Sequence, residues 1–168
     1  MRILGIDPGI AIVGYGIVDK EGNRYKTIGY DAITTRAHTP LEERIEKVYD
    51  GVNEIIKTYN PDVMSIEELF FNNNAKTALT VGQARGVIIL AAVKNRVPVY
   101  EYTPLQVKQA LTGYGRASKQ QIQQMMKTML GLNEIPKPDD VADALAIAVC
   151  HGNSMRFNSI KQFGGIQI

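Results

Sequence analysis

The chain holds a single cysteine, Cys150, set in an apolar segment from Ala144. One thiol forms no internal disulfide and builds no cysteine-based zinc site, so a reducing, cytoplasmic setting fits. No stretch approaches the roughly 18 apolar residues of a membrane span. Near the N-terminus, Asp7 and two glycines interrupt the apolar core that a signal peptide needs. A soluble protein with no membrane partner is expected. Histidine is scarce, with only two in 168 residues. His38 stands in a polar loop and reads as a surface residue. His151 follows the last apolar segment, where a cation suits a helix C-terminus. No nucleophile elbow, P-loop or GxGxxG pattern is present, so neither a hydrolytic triad nor a motif-bound nucleotide is expected. Internal repeats and low-complexity tracts are also missing.

What remains is a chain long enough to bury a core without disulfides or a structural metal. Its most informative feature is Asp7, which ends the apolar run Arg2-Ile3-Leu4-Gly5-Ile6-Asp7 and precedes Pro8-Gly9. An ionised group taken out of water costs several kcal/mol or more unless it is paired or bound to a metal. No basic residue lies beside Asp7 after Arg2. Its candidate partners are other acids, Glu67 and the cluster Asp139, Asp140 and Asp143. Clustered carboxylates make sense around divalent cations.

Charge is unevenly spread. Residues 1 to 93 carry ten basic and twelve acidic side chains, whereas residues 94 to 137 carry seven basic and two acidic, a local charge of +5. A basic surface beside an acidic centre suits an enzyme that holds a polyanion near metal ions. The competing reading is that these lysines and arginines solvate two exposed helices.

Spacing predicts strands over Arg2 to Ile6, Ala11 to Val18 and Arg24 to Ile33, then a helix over Leu41 to Tyr59. A strand follows at 63–67, a helix over Ala75 to Asn95 and a strand over Val97 to Tyr102. Helices are expected over Pro104 to Leu111, Lys119 to Leu130 and Pro138 to Cys150, with Gly113-Tyr114-Gly115-Arg116 an exposed connection. Residues 1–155 read as one domain and 156–168 as a loosely held tail. Alternation of strand and helix in the middle of the chain points to an α/β fold. Gly82 and Gly86, four apart, suggest a helix that packs its backbone closely, either on the sheet or on a second copy.

Asp7 and Glu67 each end a strand, and ligand sites gather at the carboxyl ends of parallel strands. Asp140 and Asp143, three apart, share a helix face. Four such oxygens suit Mg²⁺, and a pair of ions about 4 Å apart could activate a water and stabilise a leaving oxygen. Taken singly, each acid has a simpler role. Asp139 reads as a helix cap, Glu68 as solvated and Asp7 as a turn former. Remote strand-end acids do not converge for capping.

The motifs Gly5-Ile6-Asp7-Pro8-Gly9, Ile66-Glu67-Glu68-Leu69-Phe70, Gly82-Gln83-Ala84-Arg85-Gly86 and the run from Asp140 to Ala148, in this order, resemble the RuvC family over nearly the whole chain. The first motif alone also resembles the phosphate loop of actin-like and sugar-kinase proteins, but those need a second lobe that this chain is too short to supply. The resemblance implies a ribonuclease-H-like three-layer fold with a five-stranded mixed sheet flanked by helices. It implies a homodimer that resolves four-way junctions by two symmetrical Mg²⁺-dependent nicks, with two ions per site and Mn²⁺ as a substitute.

Asp7, Glu67, Asp140 and Asp143 match the family's metal-binding acids, and some members carry histidine at the position of Asp140. Lys108 and Lys119 match its DNA-contacting positions, with Lys119 among the catalytic set. Arg116 joins them as a DNA-binding residue from the basic segment. Phe70 matches an aromatic used at the junction centre and is expected to stack on a base, with Phe71 packed inward. Branch-migration proteins of the RuvA and RuvB type are the implied partners. A non-catalytic junction binder on the same fold is the alternative, and the intact acids argue against it.

Overall fold

The computed structural model describes residues 1–68 and 75–163, with the side chains of 75–77 and 156–163 excepted. Three antiparallel strands open the chain: β1 (Arg2–Asp7), β2 (Ile12–Glu21) and β3 (Arg24–Thr34). Helix α1 (Leu41–Tyr59) returns the chain to the other side of β1. There β4 (Val63–Glu67) pairs parallel to β1, and helix α2 (Ala75–Lys94) leads to β5 (Val99–Tyr102), parallel to β4. The sheet order is β3-β2-β1-β4-β5. Helices α3 (Pro104–Thr112), α4 (Lys119–Met129) and α5 (Asp139–Phe163) complete the described chain.

Alternation along β1 sends Leu4 and Ile6 to one face of the sheet and Ile3 to the other. The first face packs on α1 and α2 through Val48, Val52, Ile88 and Ala91. On the opposite face α5 lies against the sheet and is covered in turn by α3 and α4, through Val107, Ile122 and Met126. The result is three layers with α5 central to one of them, which is why α5 is buried at almost every position from Val141 to His151.

Close docking of α5 has a sequence cause. A Cβ at Gly5 would collide with the Ala144 carbonyl, one at Gly14 with the Asp140 carbonyl, and one at Gly16 would meet Leu145 Cδ2 at 2.5 Å. These glycines turn one face of β1 and β2 into bare backbone on which the helix can rest.

Local chemistry accounts for the shorter helices. Thr103 and Gln106 form a reciprocal capping box on α3, with Pro104 in its first turn, and Ser118 and Gln121 do the same for α4. Asn60 ends α1 in the left-handed conformation at φ 46°.

Three expectations need correction. The last helix does not stop at Cys150 but continues to Phe163, so the stretch beyond residue 155 is helical that far. His151 is therefore not a terminal cation. It is 1 % exposed, its Nδ1 lies 2.7 Å from the Tyr102 hydroxyl, and burial drives its pKa down to about 4, so it is neutral at pH 7. Finally, the helix α2 does not use Gly86 for close packing inside the subunit, because a Cβ there would meet nothing within 4 Å. The small residues against the sheet are Ala84, Ala91 and Ala92. His38 is exposed, as expected.

Candidate active site

Asp7 and Glu67 are brought together by strand register. Ile6 pairs with Ile66 across the parallel β1–β4 ladder, so the next residue of each strand is an acid at the same edge of the sheet. Asp7 also faces Gly14 across the β1–β2 ladder, and Gly14 is the residue that admits the Asp140 carbonyl. One sheet edge thus carries Asp7 and Glu67 and seats the first turn of α5, with Asp140 and Asp143.

Electrostatics show how tightly these groups are crowded. Burial, followed by the charges of Glu67, Asp143 and Asp140, pushes the Asp7 carboxyl up to about 8. Glu67 is raised by burial and then by Asp143, and Asp143 is raised by burial against the opposing pull of Lys119. Arg2 offers no relief, because its guanidinium grips Asp19 through two hydrogen bonds of 2.9 Å.

The cation that reaches the site is Lys119, at the start of α4. Its Nζ lies 2.9 Å from Asp143 Oδ2 and 3.6 Å from Asp139 Oδ2, and hydrogen bonding to Asp143 raises its own pKa. The Ser118 cap directly before Lys119 fixes where α4 begins. Asp139 is pulled outward, 2.8 Å from Lys137 Nζ, and that hydrogen bond lowers its pKa. It pairs with Lys137 and Lys119 at the rim of the acidic cluster.

Among the described residues, no three His, Cys, Asp or Glu side chains are closed around a common point as a metal group would be. Lys119 holds an Asp143 oxygen. The donor set fits a hard divalent cation, since it consists of carboxylate oxygens only. Desolvation and the neighbouring acids keep the Asp7 carboxyl raised to about 8.

Beside the acids opens a cavity of about 230 Å³. Glu67 and Asp143 line it together with Lys108 and Lys119, over a floor that includes Val107 and Ile122. Lys108 thus joins the site, whereas Arg116 is exposed on the α3–α4 connection. Glu68 is exposed. Phe70 and Phe71 lie outside the described residues.

Sequence reading missed one contributor. The glycines under α5 carried a signal, a Gly-Tyr-Gly alternation at residues 14 to 16 that clears one strand face. Arg85, part of the motif from Gly82 to Gly86, is not among the residues that line the cavity. It is mostly buried on α2 and stands 2.5 Å from Glu101 on β5, although its Nε and Nη2 make no hydrogen bond of good geometry.

A five-stranded mixed sheet with acids at adjacent strand ends, closed by a third acidic element from a helix, defines a nuclease of the ribonuclease-H-like class. The family model for the crossover junction endodeoxyribonuclease RuvC matches residues 3–151, and the chain belongs to that family. It is 58 % identical over 166 residues to the crossover junction endodeoxyribonuclease RuvC of Clostridioides difficile, covering 98 % of both chains. Against that of Desulforamulus reducens it is 63 % identical over 151 residues, 90 % of this chain and 93 % of the other. The fold matches that of T. thermophilus RuvC in complex with Holliday junction substrate with a TM-score of 0.87 at 36 % identity, over 95 % of this chain and 98 % of the other.

Proposed function

We propose that this chain resolves Holliday junctions by symmetrical, metal-dependent nicking of two strands in homologous recombination and DNA repair. The observation that carries the reading is the convergence of Asp7, Glu67 and the first turn of α5 at one sheet edge, in a chain of the RuvC family.

In this reading Asp7, Glu67, Asp140 and Asp143 hold Mg²⁺, two ions per site, with Mn²⁺ able to replace it. Bound Mg²⁺ supplies the charge that lets a water attack a phosphodiester and its 3′ oxygen leave, so the product end carries a 5′-phosphate. The chain's own residues do the rest. Beside a cation held by these acids, the Asp7 carboxyl would fall from its raised value, favouring the carboxylate that binds it. Lys119, 2.9 Å from Asp143 Oδ2, would neutralise a phosphate bound beside the acids. Lys108 and Arg116 extend that contact along the backbone, and Phe70 stacks at the junction centre.

Two cuts related by a two-fold axis call for two identical sites, which a C2 homodimer supplies. The face of α2 turned away from the sheet supports this assembly. Leu79 is 67 % exposed, Leu90 46 % and Val93 62 %, and Gly86 lies open between them. Such an apolar stripe with a glycine in it fits a second copy of the same helix. Branch-migration proteins of the RuvA and RuvB type are the partners that would present the junction, and the cytoplasm is the setting. No described helix is long and apolar enough to cross a membrane.

The test uses a synthetic four-way junction with Mg²⁺. Wild type should make paired nicks, and Asp7→Asn should bind the junction tightly and leave it whole. Cleavage by Asp7→Asn at the wild-type rate would overturn the site.

A further inference from the structure

The connection between α3 and α4 is exposed yet held in place from several sides. Gly113 closes α3 at φ 77°, its N–H donating to the Gln109 carbonyl. The Thr112 hydroxyl lies 2.8 Å from the Lys108 carbonyl and 2.6 Å from the Tyr114 carbonyl, and it accepts the Tyr114 N–H at 3.3 Å. Gly115 is pressed against Leu105, so that a Cβ there would collide with its Cδ1. Past Arg116, Ala117 is buried and Ser118 caps α4.

This anchored turn leaves its one aromatic side chain, Tyr114, 51 % exposed. Fixing a backbone costs conformational entropy, and burying the ring would have returned apolar stabilisation. The fold forgoes that gain and keeps the ring outside. Its surroundings are cationic. Lys108 precedes the turn and lines the cavity beside Glu67 and Asp143, Arg116 follows it, and Lys119 begins the next helix. An exposed aromatic ring on an anchored backbone, six residues past Lys108 of the acidic cavity and followed by Arg116 and Lys119, matches what nucleic-acid grooves offer a strand: phosphates to the cations, a base or sugar face to the ring.

We propose that Tyr114 stacks on a nucleotide of the cleaved strand, next to the cut phosphate, and so sets where along the strand the acids act. This rests on the nuclease reading above. Lys108, Arg116 and Lys119 grip phosphates, which are the same at every step. Tyr114 touches the part of the nucleotide that differs from step to step.

The experiment places 2-aminopurine at successive positions around the cut of a four-way junction. The junction is bound to the full chain carrying Asp7→Asn, alone or with Tyr114→Ala or Tyr114→Phe. Stacking quenches this fluorophore. Quenching at one or two positions is expected with tyrosine and with phenylalanine at 114, and its loss with alanine. Affinity for the junction should fall about tenfold in Tyr114→Ala and stay near the parent's in Tyr114→Phe. The salt dependence of Tyr114→Ala binding should be unchanged, since no charge is removed, whereas Arg116→Ala should lower that slope by about one. Thermal melting should be unaltered in Tyr114→Ala, because the ring is not core. Equal quenching and affinity in Tyr114→Ala would overturn the proposal and leave the tyrosine to solvent or a protein partner. If the Asp7→Asn parent itself fails to bind the junction, it is the nuclease reading that falls.

Discussion

Asp7 combines two properties that seldom coexist: it is buried at the end of a strand, and its neighbours are acids. Its carboxyl is raised from 3.8 to about 8, so it opposes the folded state of the metal-free protein as pH rises through that interval. Asp7→Asn should therefore raise the Tm of the metal-free protein at pH 7 by roughly 5 °C or more. A calorimetric scan in chelator checks this, and a lower Tm would mean that the carboxylate is not crowded. Mg²⁺ should stabilise wild type and leave Asp7→Asn nearly unmoved, by ~2.7 kcal/mol at 100 times the dissociation constant. Lys119→Ala should slow cleavage about 10²-fold, the typical cost of losing one donor aimed at developing charge. Lys119→Arg should recover part of that rate. Single-turnover kinetics on a labelled junction measures both.

His151 behaves in the opposite sense. Its pKa falls from 6.5 unfolded to about 4 folded, so its contribution to stability is complete above pH 6.5 and is lost as pH drops toward 4. Between those values the slope is ~1.4 kcal/mol per pH unit. His151→Gln should flatten the urea midpoint over that window relative to wild type, and an unchanged slope would refute the neutral, buried imidazole.

At the scale of elements, α5 is the member that completes the site, and β1 and β2 decide where it lies. Gly14→Ala inserts a methyl where the Asp140 carbonyl sits, so it should cost about 1–3 kcal/mol and abolish most cleavage. Gly22 offers a control for cleavage, because its substitution strains the β2–β3 turn at φ 58°, at the other end of β2 from Gly14, without touching α5. Denaturant melts with junction assays on both variants separate the two effects.

This is also the scale at which reading from sequence succeeds and fails. Periodicity marks α1 closely, because Val48, Val52, Ile55 and Ile56 recur on one face of a helix with polar residues opposite. It cannot find the end of α5. From Val141 to His151 the helix is buried on nearly every side, no stripe distinguishes inside from outside, and neither Gly152 nor Asn153 interrupts it. The strand-end acids are legible as residues out of place. Their convergence is not, since it depends on β1 lying between β2 and β4, and strand order leaves little trace in a chain read residue by residue. The Lys119–Asp143 contact is invisible for the same reason, as α4 reaches α5 only through the tertiary packing of Ile122 and Met126.

Taken whole, the molecule is asymmetric. One sheet face and α5 belong to the acids and the basic segment, and in the proposed dimer the outer face of α2 takes a second copy. Val93→Lys on that face should convert the dimer to a monomer, with little effect on subunit stability, since Val93 is 62 % exposed. Light scattering follows the mass. A monomer that still nicks a junction singly but no longer in pairs is the expected result, and a variant that stays dimeric would move the interface elsewhere.

The seating of α5 on bare backbone also bears on when the chain becomes dangerous to DNA. Asp7 and Glu67 lie on strands made early, whereas Asp140 and Asp143 arrive with the last of the described elements. A chain that has emerged only as far as α4 lacks Asp140 and Asp143, and it also lacks the helix that covers one face of the sheet. In the proposed four-acid site the order of synthesis would therefore act as a safety catch: a partial product should not cut until α5 fills the berth that the glycines keep open.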